Sequence, residues 1–158
     1  MKVTIKITRK DVPKKKVICL HGGGMNGVGF SSQLNDYTVN FPDIEFVFLD
    51  GPMLLPIELV PEPKDNQRLW MIPYRVNDNI FGMDRYNEAL QKSRELLFEH
   101  WDSNCIGLIG FSQGGMVLEA LNSTRIGKQK LTIVIDGVVR YCMSVVEKIS
   151  DPKMGSHP

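Results

Sequence analysis

The residues Gly110-Phe111-Ser112-Gln113-Gly114 follow the pattern G-x-S-x-G, and the reason for that pattern is steric. A serine on a sharp strand-to-helix turn takes strained dihedrals, and flanking glycines let neighbouring backbones come close. Such a turn leaves the Ser112 hydroxyl exposed above a sheet as a nucleophile. It also aims the N–H of Gln113, at the helix start, toward an incoming carbonyl oxygen. The surroundings agree: the apolar run Ile106-Gly107-Leu108-Ile109 precedes the motif and an amphipathic stretch follows it.

A second constellation, His21-Gly22-Gly23-Gly24, comes straight after the apolar run Val17-Ile18-Cys19-Leu20. Paired with a nucleophilic Ser112, this loop provides the other oxyanion donor, the N–H of Gly23, because glycine lets that amide turn inward without a clash. His21 is then a structural residue with its ring hydrogen-bonded to nearby backbone. The same residues admit a rival reading. Gly22-x-Gly24-x-x-Gly27 matches a dinucleotide fingerprint, and Asp50 ends the next strand about where a ribose-binding acid belongs. That alternative leaves the glycines around Ser112 unexplained.

A nucleophilic serine needs a base held within hydrogen-bond reach, and the base needs an acid to orient it. After Ser112 the acids are Glu119, Asp136, Glu147 and Asp151, and the only histidine is His157. Asp136, at a strand end, is the candidate acid, against the plainer role of a turn residue before Gly137. His157 is the candidate base, although it is the penultimate residue of a tail without an apolar anchor. His100 falls before the Ser112 strand and is expected at the opposite edge of the sheet.

The elements that must position these groups are legible as apolar runs. Val17–Leu20, Phe46–Leu49, Ile106–Ile109 and Leu131–Ile135 are short and continuous, as strands buried on both faces of a parallel sheet should be. Val3 to Ile7 alternates instead and suits a half-exposed edge strand. One helix is expected from Asp84, as N-cap, to Trp101, with Tyr86, Leu90, Leu97 and Trp101 on its apolar face. A second runs from Gln113 to about Thr124, turning Met116, Val117, Ala120 and Leu121 inward and stopping at Gly127. Strands alternating with helices imply an α/β fold, a mostly parallel sheet flanked by helices. Between Gly51 and Tyr74, Pro52, Pro56, Pro61, Pro63 and Pro73 favour a long ordered loop. Residues 51–74 are thus expected near a pocket, with Trp70 and Tyr74 either lining it for substrate or simply packing.

The 158 residues, 42% hydrophobic and 23% charged, fit one globular domain over 1–158. A net charge of +1 offers nothing to nucleic acid, and Lys14, Lys15 and Lys16 read as the solvated start of a strand. Cys19, Cys105 and Cys142 are odd in number and lack ligand spacing, so neither a disulfide framework nor a metal site is expected. The start lacks a signal-peptide core and no run reaches membrane-span length, so a reducing, cytoplasmic setting is expected.

With these residues in hand, the chain resembles the FSH-type serine hydrolases of the α/β-hydrolase superfamily, and more distantly the acyl-protein thioesterase and carboxylesterase group. The matching pieces are Cys19-Leu20-His21-Gly22 with Asn26 and Phe30, Leu49-Asp50-Gly51-Pro52, Arg68-Leu69-Trp70, and Gly110 to Gly115. The resemblance implies an esterase or thioesterase acting on a small acyl ester or thioester through acyl-Ser112, with no cofactor. It makes the amides of Gly23 and Gln113 the oxyanion donors. It also implies two further strands, whose following loops would carry the acid and the histidine, so the chain reads as an α/β-hydrolase-like fold truncated on its C-terminal side. A sheet edge left bare in that way invites a second copy as cover. The alternative function is an inactive homologue that binds a ligand or a protein.

Overall fold

The computed structural model describes residues 13–64, 66–72, 75–76, 79–80, 83–122 and 131–135. In chain order the elements are β1 (Lys15–Leu20), α1 (Gly27–Thr38), β2 (Ile44–Leu49), β3 (Met53–Leu54), β4 (Arg68–Leu69), β5 (Arg75–Val76), β6 (Asn79–Ile80), α2 (Met83–His100), β7 (Cys105–Phe111), α3 (Gln113–Asn122) and β8 (Leu131–Ile135). The expected edge strand at 3–7 and helix stop at Gly127 lie outside the described residues, as do Tyr74, Asp136, Cys142 and His157.

β2, β1, β7 and β8 form a parallel sheet in that order. The register sets Leu20 opposite Leu49 on one side and Gly110 on the other. The loops that follow β1, β2 and β7 therefore leave from one edge, side by side. Alternation along β1 divides the core. Val17 and Cys19 face Phe30 of α1, while Ile18 and Leu20 face the buried residues Leu90 and Leu97 of α2 and Val117 and Leu118 of α3. Helices on both faces are why the strand reads as continuously apolar. Burial of each of Ile18, Leu20, Leu97 and Leu118 contributes about 1.5–3 kcal/mol.

α1 was not marked by periodicity, because its start is glycine-rich and only Gly27 and Phe30 are buried. It is held at its start instead: Asn26 is the N-cap, in extended conformation, and its side chain accepts the Gly29 N–H at 2.8 Å. At α2 the expectation needs correcting. The helix begins at Met83, so Asp84 lies within its first turn and not at the cap. A carboxylate there still complements the helix dipole.

The proline-rich stretch is more regular than expected. Met53 and Leu54 pair antiparallel with Leu69 and Arg68, in stretches that no proline interrupts, and Met25 bridges to Arg68. At the other edge of the sheet the lysines are partnered: Lys14 Nζ donates to the Pro42 carbonyl and Lys16 Nζ meets Asp102. No helix among the described residues is long and apolar enough to cross a membrane.

Candidate active site

β7 ends at Phe111 and α3 starts at Gln113, which leaves Ser112 alone in the turn with φ +49°. Among the described residues it is the only non-glycine with positive φ, a conformation that costs a side chain about 1–3 kcal/mol. Close packing enforces it. A Cβ on Gly110 would sit 2.6 Å from the Gly115 nitrogen, and one on Gly114 would sit 2.4 Å from the Leu20 carbonyl oxygen. The first turn of α3 is thus pressed onto the ends of β7 and β1 as no larger residue would allow. The Ser112 carbonyl accepts the Met116 N–H at 3.0 Å and anchors the helix.

The Gly22–Gly24 loop lies beside this turn. Gly23 is exposed, with the Gln113 side-chain amide carbon 3.4 Å from where its Cβ would be. Gly24, at φ +76°, reverses the chain and donates to the Arg68 carbonyl at 2.9 Å. Neither Gly23 N–H nor Gln113 N–H has an acceptor among the described residues. The Gln113 amide is unsatisfied because it opens a helix.

The Gln113 side chain has a task that its spacing did not signal. Its Oε1 accepts the Trp70 N–H at 2.8 Å and its Nε2 donates to the Met71 carbonyl at 3.0 Å. A residue 43 positions away is thereby clamped to the Ser112 turn. Trp70 was open to either lining a pocket or packing. It is fully buried, with Nε1–H donating to the His21 carbonyl at 2.9 Å and its ring 5.2 Å from that of His21. These contacts brace the loop that follows β1. Ser93, another residue that sequence reasoning missed, is buried and donates its hydroxyl to the Trp70 carbonyl.

His21 is fully buried and both ring nitrogens are engaged. Nε2 accepts the Gly51 N–H at 2.9 Å, so the proton resides on Nδ1, 2.7 Å from the Gly22 carbonyl. Burial holds its pKa below the ordinary value, and the neutral ring joins the β1 loop to the β2 loop. His100, in the last turn of α2, has Nδ1 2.9 Å from the Leu96 carbonyl. It precedes β7 whereas Ser112 follows it, which puts about 20 Å of strand between them. Among the described residues no cluster of acids, histidines and cysteines could hold a metal ion.

The arrangement thus brings Ser112, Gln113 and Gly23 to one edge of the sheet, over a base made of His21 and Trp70. Residues 10–145 match the model of the serine hydrolase (FSH1) family. Esterase GA18864 of Drosophila pseudoobscura pseudoobscura is 32% identical over 77% of this chain, and Esterase AAEL000016 of Aedes aegypti is 34% identical over 64% of it. The matched stretches span only 43% and 39% of those two proteins. Acyl-protein thioesterase 2 of Zea mays superposes with a TM-score of 0.56 at 19% identity, over 93% of this chain and 67% of its own. A variant of SOBER1 from Arabidopsis thaliana gives 0.57 at 16%, over 88% and 69%. The fold is accordingly that of the α/β hydrolases. The dinucleotide alternative gives way, since the family match takes in both glycine motifs and Asp50 Oδ1 is occupied by the Gly27 N–H at 2.7 Å. The chain belongs to the serine hydrolase (FSH1) family.

Proposed function

We propose that the chain carries an esterase or thioesterase site that works through acyl-Ser112. The Ser112 Oγ attacks the ester or thioester carbonyl carbon while its proton passes to a base. The N–H groups of Gly23 and Gln113 donate to the resulting oxyanion, each worth about 10²–10³ in rate. The carbon–oxygen or carbon–sulfur bond then breaks, and the alcohol or thiol leaves with the proton. Water attacks the acyl-serine in turn, releasing the carboxylic acid and restoring the Ser112 hydroxyl. In this reading Asp136 is the acid, His157 the base and Tyr74 a substrate contact, all three outside the described residues. The setting it proposes is cytoplasmic, in keeping with Cys19 and Cys105, which form no disulfide among the described residues.

The observation that carries the reading is the turn itself. Ser112 is held at φ +49° between β7 and α3, beside two amides that have no acceptor among the described residues. Labelling with a fluorophosphonate probe tests it, with Ser112→Ala as the comparison. Labelling that disappears in the variant supports an activated serine. Folded protein that takes no label removes the enzymatic reading. A second reading, a hydrolase scaffold that binds without turnover, is favoured by one observation: His21 is committed to backbone and His100 lies at the far edge of the sheet.

A further inference from the structure

The Gly23 N–H shares one peptide unit with the Gly22 carbonyl, and in a trans peptide the two point in opposite directions. Whatever holds the carbonyl therefore sets where the N–H aims. Two donors hold it: the Met25 N–H at 3.1 Å, which closes a turn, and the Nδ1–H of His21 at 2.7 Å. Met25 is half-buried, whereas the His21 ring is fully buried. That ring is itself fixed. Its Nε2 accepts the Gly51 N–H at 2.9 Å, which leaves the proton on Nδ1. The His21 carbonyl accepts the Trp70 indole N–H at 2.9 Å, and the two rings stand 5.2 Å apart. The carbonyl side of the peptide is thus fastened to the interior. Gly23, on the other side, is exposed, and its N–H has no acceptor among the described residues. The unit also lies against the nucleophile turn, since a Cβ on Gly22 would fall 2.9 Å from Cδ1 of Phe111, the residue before Ser112.

Without the ring, this peptide would be easy to reverse. A half-turn changes only ψ of Gly22 and φ of Gly23, and neither residue has a side chain to oppose it. Reversed, the unit would turn a carbonyl oxygen toward a developing oxyanion and repel it. We propose that His21 is a positioning residue for the reaction: its Nδ1–H locks the Gly22–Gly23 peptide with the carbonyl inward and so keeps the Gly23 N–H aimed at the oxyanion. This rests on the esterase reading above and names the side chain that sets one of its two donors.

The two ring nitrogens can be removed separately. Asparagine places an amide N–H where Nδ1 stands, and glutamine places an amide oxygen where Nε2 stands. His21→Asn therefore keeps the donor to Gly22 and gives up the acceptor for Gly51, and His21→Gln does the reverse. With 4-nitrophenyl acetate and butyrate, His21→Gln should lower kcat by about tenfold or more with KM little changed, because the oxyanion forms only beyond the ground state. His21→Asn should recover most of that loss, even though the unpaired Gly51 N–H lowers its urea midpoint. Equal losses of kcat in the two variants, or losses that follow the urea midpoints, mark a merely structural ring and overturn the inference, with the esterase reading intact.

If the wild type turns over neither ester and takes no fluorophosphonate label, the esterase reading is what fails, and NMR decides about His21 alone. Gly22 carbonyl-carbon and Gly23 amide-nitrogen shifts that stay in His21→Asn and move in His21→Gln support the lock. Shifts that move alike in both variants, or in neither, overturn it. Should His21→Gln not fold, the wild type is read instead: an Nδ1–H that exchanges slowly with solvent and couples to the Gly22 carbonyl supports the lock, and its absence overturns it.

Discussion

The two ends of the parallel sheet are built differently. At the carboxyl end, loops from four parts of the chain are tied by directional bonds: Gly51 to His21, Trp70 to His21, and Gln113 to both Trp70 and Met71. From the amino end up along the sheet to Ile109, a groove of about 230 Å³ is lined among the described residues by Val17, Phe41, Ile44, Phe46 and Ile106, with Phe41 53% exposed. Apolar contact is indifferent to angle and tolerates change, whereas a hydrogen bond between buried groups fixes position and leaves a penalty when one partner is lost. Geometry is therefore specified around the Ser112 turn, and left looser along the apolar groove.

Substitutions can break or sharpen that contrast. Gly114→Ala should have the largest effect. The better helix propensity of alanine is worth only about 1 kcal/mol, while the new methyl falls 2.4 Å from the Leu20 oxygen. A loss of about 3 kcal/mol or more in urea unfolding is expected, together with loss of probe labelling. Gln113→Met comes next. It orphans the Trp70 N–H and Met71 carbonyl and should cost about 1–3 kcal/mol.

His21 makes the carboxyl end sensitive to acid. Burial lowers its folded pKa beneath the ordinary 6.5, so as pH falls the unfolded chain takes up that proton first. The stability that the neutral ring contributes is complete above pH 6.5 and is lost below it, by at most about 1.4 kcal/mol per pH unit. Denaturant midpoints between pH 7.5 and 5 should show this slope, and it should flatten in His21→Asn. Ser112→Gly should go the other way, raising stability by about 1 kcal/mol as the strained φ relaxes, while abolishing labelling. At the amino end, Phe41→Ser should move the unfolding midpoint by no more than about 0.5 kcal/mol. A loss there as large as that of Gln113→Met would end the comparison.

The strands and the Ser112 turn were legible because each is written locally. β1, β2, β7 and β8 are continuous apolar runs, and the turn is a five-residue pattern with its own steric logic. α1 was not, since its apolar stripe shrinks to Phe30 and its stability begins with Asn26. Trp70 could be read as lining or as packing until its partners were known, and its partners, His21 and Ser93, are 49 and 23 residues away. The second task of Gln113 was hidden for the same reason. A side chain that bonds to backbone across 43 residues leaves no trace in spacing.

The position of β1 between β2 and β7 also has a consequence in time. During synthesis β1 is made first and can pair at once with β2, but its other edge must wait until β7 has emerged. Gly114, which closes onto the Leu20 carbonyl, comes later still. Contacts of such long sequence separation form late and slowly, because the intervening chain must be ordered before they repay it. The nascent protein thus completes the pairing of its central strand and the packing of the Ser112 turn only after β7 and α3 have been made.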